Sequence, residues 1–201
     1  VEKNKIPKAI SIILLGGIVS ALIGQGIANY SKDIVSEHLY VGSYLSLGIL
    51  TLVPAIFFLF YENISKLETN IKYSGRSRLE LISQPRFLQA LVASAFGYAI
   101  MTFLMTATPL SMHVMEKMSL SKTGLVIQFH VVAMFLPSLI TGILIKKFGH
   151  SNIMYAGVFL YSITIVASFF DQTFYNYMFA LIFLGLGWNF LFISGTSLLV
   201  L

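Results

Sequence analysis

The chain contains no cysteine, one tryptophan and five prolines in 201 residues, and only 10% of its residues are charged. Without thiols there is no disulfide and no thiolate metal site, and cysteine usage says nothing about redox compartment. Charge this sparse excludes an ordinary water-soluble domain, which needs roughly 25% charged residues to cover its surface. What the chain has instead is 57% hydrophobic residues and a mean hydropathy of +0.84. The composition predicts an all-α, polytopic membrane helical bundle with the lipid bilayer as its solvent.

Six apolar runs carry that prediction: Lys8–Tyr30, Tyr40–Tyr61, Arg86–Met112, Lys122–Ile145, Ile153–Phe170 and Tyr175 to the end. No Asp, Glu, Lys or Arg lies inside any of them. In hydrocarbon the backbone must satisfy its own hydrogen bonds, and runs this long fit helices rather than barrel strands. The connecting segments set orientation. Lys3, Lys5 and Lys8, then Lys66, Lys72, Arg76, Arg78 and Arg86, then Lys146 and Lys147 fall on one side, against Lys32, Lys117 and Lys122 on the other. The excess of basic residues predicts that the first side faces the cytoplasm, as expected for a multi-pass protein of the cell (inner) membrane. The net charge of +5 is then a topology signal, and no nucleic-acid partner is expected. Asn63-Ile64-Ser65 matches a glycosylation sequon but falls on that cytoplasmic side. The chain starts at Val1 without an initiator methionine and stops inside an apolar run, which reads as a fragment of a longer protein.

The Glu62–Arg86 segment is the longest connection, and its Leu79, Leu81 and Ile82 predict a short helix on the membrane surface. It divides the chain into residues 1–61, a linker at 62–86, and residues 87–201, an organisation common in transporters built from repeated halves. In the first run Gly16, Ser20, Gly24 and Ala28 stand four apart, with Gly17 and Ala21 beside them; small residues at this spacing let two helices close together in lipid. In the third run Ser94, Tyr98, Thr102 and Thr106 form a semi-polar stripe flanked by Met101, Met105 and Pro109. It reads either as a cavity wall or as ordinary packing, since hydroxyls in membrane helices often bond their own backbone. In the last run Trp188 and Asn189 lie deep, near Phe192, Asn189 about 14 residues or ~21 Å from the outer end. They are either a stacking surface with a hydrogen-bonding amide for a solute, or packing plus a bond to a neighbouring helix. His130, near Gln128, is an ionisable residue inside a span and hence a functional candidate. Its depth, ~12 Å from Lys122, matches that of Gly24 and Gln25 measured from Lys32. This suggests either a latch between the first and fourth runs or a neutral histidine bonded to a neighbour.

Gly142-Ile143-Leu144-Ile145-Lys146-Lys147-Phe148-Gly149-His150 resembles the G-x-L-x-D-R-x-G-R loop motif of the major facilitator superfamily, with Lys146 where the motif has aspartate. Gly16-Gly17 and Gly24-Gln25-Gly26 look like that family's helix 5 glycine motif, with Gln25 in place of proline. Ala107-Thr108-Pro109-Leu110, Val126-Ile127-Gln128 with His130, and Gly187-Trp188-Asn189-Phe190 resemble a bacterial subgroup that includes riboflavin-uptake-type transporters. The resemblance implies that the runs are helices 5 to 10 of a 12-helix fold, with the remaining helices of the same transporter as partners. It implies that the third and sixth runs line a central cavity holding Tyr98, Met101, Thr102, Met105, Thr106, Trp188, Asn189 and Phe192. The first and fourth runs would then meet between halves, giving an interface and gating set of Gly16, Ser20, Gly24, Gln25, Gln128, His130, Gly142, Lys146, Lys147 and Gly149. The second and fifth runs would face lipid.

The function expected is secondary transport of a small-molecule substrate by alternating access, with no cofactor, no metal and no enzymatic chemistry. An intramembrane hydrolase would need a nucleophile within reach of a base; Ser194 and Ser197 are available, but no Gly-x-Ser-x-Gly turn is present. A channel would want rings of charge or filter loops, and neither is visible.

Overall fold

Apolar runs uninterrupted by charge become helices because no other local structure closes its hydrogen bonds within one segment. The computed structural model describes residues 6–35, 38, 40–60 and 77–199, without the side chains of residues 6–15 and 78. Among these residues there are helices and connecting turns but no strand: α1 (Ile6–Ser31), α2 (Val41–Leu59), the short α3 (Arg78–Ile82), α4 (Pro85–Leu110) running into a π-helical turn (Ser111–Met115), α5 (Leu120–Phe135), α6 (Ser138–Phe148), α7 (His150–Ala167) and α8 (Phe174–Leu198). The linker residues Lys66, Lys72 and Arg76, the N-terminal Lys3 and Lys5, and the sequon at Asn63 lie outside the described residues.

Local chemistry sets the boundaries. Pro85 occupies the first turn of α4, where its missing N–H goes unneeded. The Ser119 hydroxyl accepts from the Lys122 N–H (3.3 Å) to start α5, and the Thr173 hydroxyl accepts from the Asn176 N–H (3.3 Å) to start α8. Gly149, at φ 82° and ψ 158°, separates α6 from α7 in a region open essentially to glycine alone.

Four helical segments described here are long and apolar enough to cross a membrane: Val41–Leu59, Pro85–Met115, His150–Ala167 and Phe174–Leu198. A fifth is the pair α5 and α6, bent by 41°. The sequence treats Lys122–Ile145 as a single helix; the structure breaks it at Leu136-Pro137. Proline has no N–H for the carbonyl four residues back, and its ring crowds that turn. Beyond the break, the Leu139 N–H turns to the Leu136 carbonyl (3.3 Å), and the Ile140 and Thr141 N–H groups both reach that of Pro137 (2.9 Å).

The chain packs as two units, Val1–Ala21 with Leu79–Leu201, and Leu22–Arg78. In the second unit the C-terminal part of α1 meets α2 through small polar residues. Ser31 and Ser46 share a hydrogen bond (2.8 Å), and Ser43 donates to the Ala28 carbonyl (2.8 Å). In the first unit α8 is the central helix, with Leu184, Asn189 and Ser194 fully buried. Gly185 lies against α5, where a Cβ would come within 2.6 Å of the His130 carbonyl, and Gly187 lies against α7, where a Cβ would come within 2.5 Å of the Tyr161 ring. Tyr161 donates to the Gly97 carbonyl of α4 (2.6 Å), and Thr164 donates to the Ala180 carbonyl of α8 (3.1 Å). The outer face of α7, with Tyr155, Val158, Phe159 and Val166, is exposed and suited to lipid.

Candidate functional site

Three helices bring four aromatic rings together. Trp188 and Phe192, one turn apart on α8, stack at 4.7 Å and 10°. Tyr98 of α4 meets Trp188 at 6.2 Å and 61° and Phe192 at 6.2 Å and 51°. Phe135, the last residue of α5, meets Trp188 edge-on at 6.0 Å and 77°. Such offset and edge-to-face pairs are favourable beyond the area they bury. Trp188 is only 5% exposed whereas Tyr98 is 52% exposed, so the accessible ring of the cluster is that of Tyr98, with the indole behind it. The Trp188 Nε1 is buried without a hydrogen-bond partner among the described residues.

Thr102 and Thr106 continue the exposed stripe of α4 beyond Tyr98, Met105 is half-buried, and Met101 turns into the core. The Thr106 hydroxyl is spent on the Thr102 carbonyl (2.9 Å). Asn189 is fully buried. Its Nδ2 donates to the Met134 carbonyl (2.6 Å) and to Ser138 Oγ (2.7 Å), and its Oδ1 accepts from Thr141 Oγ1 (2.6 Å). Of the two readings of Asn189, the bond to a neighbouring helix is present, and both amide hydrogens are engaged in it.

His130 is also fully buried. Its Nδ1 lies 2.7 Å from the Leu181 carbonyl of α8, which fixes Nδ1 as the donor because a carbonyl only accepts. The Nε2 has no partner among the described residues. The partner found is thus a backbone group of α8. Gln25 and Gly24 belong to the other packed unit. Gln128 is half-buried and Ser20 exposed. In the small-residue ladder the described close contact falls beside the predicted face: a Cβ on Gly17 would strike the Phe135 ring at 2.6 Å, while one on Gly16 meets nothing within 4 Å. In the loop motif Gly142, Lys146, Lys147 and Gly149 are exposed. The Lys147 Nζ sits 5.1 Å from the Phe148 ring centroid.

The sequence missed Phe135, which joins Gly17 to Trp188 and sits at the helix break. It also missed the pairing of Ser138 and Thr141 with Asn189. A phenylalanine in an apolar run carries no signal; a proline mid-span with two hydroxyl residues just beyond it was the available clue.

A family model described as Major Facilitator Superfamily matches residues 1–201. The riboflavin transporter RfnT of Brucella anthropi is 37% identical over 193 residues, 95% of this chain and 48% of that protein. The uncharacterized MFS-type transporter YddS of Bacillus subtilis is 28% identical over 217 residues, 99% of this chain and 49% of that protein. A second Bacillus subtilis protein, the uncharacterized MFS-type transporter YdeG, is 41% identical over 103 residues, 50% of this chain and 24% of that protein. The chain spans about half the length of the first two relatives. No solved structure gives a significant match.

Proposed function

Because the chain belongs to the Major Facilitator Superfamily, we propose that it acts in a secondary active transporter that moves a small planar heteroaromatic solute, riboflavin or a close analogue, across the cytoplasmic membrane. The observation that carries this reading is the exposed Tyr98 ring backed by Trp188 and Phe192, in a chain 37% identical to a riboflavin transporter. A fused ring system stacks on such a surface without needing a charged partner. Thr102 and Thr106 supply polarity along the same face, with Met101 and Met105 as adaptable packing beneath them.

Transport proceeds by alternating access of two helical halves, residues 1–61 ending the first and residues 87–201 opening the second. The side rich in Lys and Arg faces the cytoplasm. Gly16 and Ser20 of α1, Gln128 and His130 of α5, Gly142, Lys146 and Lys147 of α6, and Gly149 are the gating set of this reading. A hydrolytic reading is disfavoured because no serine hydroxyl is paired to the His130 Nε2 among the described residues.

The test is uptake of labelled riboflavin by riboflavin-requiring cells expressing the protein, beside a panel of nucleosides, amino acids and sugars. Accumulation of riboflavin, competed by other flavins and collapsed by dissipating the ion gradients, is the expected outcome. Equal uptake with and without the protein rejects the substrate; uptake of a panel member instead keeps transport and replaces the flavin.

A further inference from the structure

A side chain of α8, Asn189, hydrogen-bonds both sides of the break between α5 and α6. Pro137 interrupts the backbone ladder inside an apolar run, where a freed polar group needs a partner from a neighbouring helix. Asn189 reaches into that gap. One Nδ2 hydrogen goes to the Met134 carbonyl on α5 (2.6 Å) and the other to Ser138 Oγ on α6 (2.7 Å). The Oδ1 receives the Thr141 hydroxyl one turn further along α6 (2.6 Å), and that hydroxyl also lies 2.8 Å from the Pro137 carbonyl. Only one orientation of the amide works, because turning it would set Oδ1 against the Met134 carbonyl, acceptor against acceptor. The carboxamide therefore grips both arms of the bend at once.

The neighbouring residue makes this more than a packing detail. Trp188 carries the aromatic cluster, and its ring meets Phe135, the last residue of α5 before the break. Phe135 in turn lies against Gly17 of α1. Two consecutive residues of α8 thus touch the solute-facing cluster and the hinge beside it.

We propose that Asn189 is a positioning residue that sets the α5–α6 angle from α8, so that a solute displacing the Trp188 cluster changes the bend at Pro137. The hinge itself is independent of what is carried; only its coupling to a solute rests on the transport reading. Asn189→Asp keeps the acceptor for Thr141, and its carboxyl, neutral at this depth, has at most one donor, so the Met134 carbonyl and Ser138 Oγ cannot both be served. Pro137→Ala restores the donor for the Ala133 carbonyl and lets the helix run on, so that the Ser138 N–H returns to the Met134 carbonyl and the grip becomes dispensable.

The chain has no cysteine, so Leu125→Cys on α5 and Ile143→Cys on α6, both exposed, accept spin labels in the membrane-reconstituted protein. Pulsed electron resonance needs no substrate. The expected result is one narrow distance distribution in the parent, a broadened and shifted one in Asn189→Asp, and a narrow one again when Pro137→Ala is added. Thr141→Val is expected to broaden it to a lesser degree, and it provides the readout if Asn189→Asp does not accumulate. A distribution unchanged in both Asn189→Asp and Thr141→Val overturns the proposal. So does broadening that persists with Pro137→Ala, since the amide would then act elsewhere. Riboflavin added to the parent is expected to shift the distribution; a rigid hinge that ignores riboflavin while uptake proceeds removes the coupling and leaves the grip.

Discussion

His130 and Asn189 are polar residues in runs that tolerate almost none, and each forms hydrogen bonds with a neighbouring helix. That both need partners was legible in the sequence, because an unpaired polar group in hydrocarbon is costly. Which partners they take was not. His130 bonds a main-chain carbonyl, Leu181, and every residue has one, so no side-chain pattern points to it. Asn189 reaches across 55 positions to Met134, a separation that only the packed fold closes. His130→Ala removes a buried ring and its bond, and is expected to lower the melting temperature of the purified protein by several degrees, equivalent to about 2–4 kcal/mol. Tyr98→Ala, at a half-exposed ring, is expected to leave the melting temperature nearly unchanged. Fluorescence-detected thermal unfolding in detergent separates the two; equal melting temperatures for parent and His130→Ala would refute the structural role.

The helices themselves were the most legible level. Six apolar runs gave the correct order of elements with ends displaced by a few residues, because burial of the backbone in hydrocarbon is a stronger constraint than side-chain propensity. The surface helix expected around Leu79, Leu81 and Ile82 is present as α3. The broken fourth run was not foreseen, since hydropathy averages over the one residue that lacks a donor. Glycine positions divide in the same way. A ladder at four-residue spacing drew attention to Gly16 and Gly24, whereas the tight crossings of the first unit include Gly185, Gly187 and Gly195 on α8. Gly187→Leu would drive a side chain into Tyr161 and the Gly157 carbonyl and is expected to abolish accumulation of folded protein. Gly142→Ala, where a Cβ meets nothing within 4 Å, is expected to express like the parent despite its place in the loop motif. Size-exclusion profiles of the two variants decide this, and a monodisperse Gly187→Leu peak would overturn the packing argument.

At the level of the molecule, composition alone identified a multi-pass membrane chain, and the loop motif pointed to the family that the sequence match then established. The positive-inside rule predicts that Ser77, in the basic linker, faces the cytoplasm. Ser77→Cys is expected to react with an impermeant maleimide only after the cells are opened, and labelling of intact cells would reverse the topology. The candidate site was legible in part. Tyr98, Trp188 and Phe192 were named and do come together, but Asn189 turned out to serve the helix break, and Phe135 was not named.

The central claim, that the Tyr98–Trp188–Phe192 surface receives the solute, can be tested through its own chromophore. Trp188 is the only tryptophan in the 201 residues, and with any tryptophan outside them replaced, its emission reports on that surface. Titrating the protein with riboflavin is expected to quench Trp188 fluorescence saturably, and Tyr98→Ala is expected to raise the half-saturating concentration by up to about tenfold. Emission that stays constant at riboflavin concentrations saturating uptake would place the solute elsewhere and contradict the account.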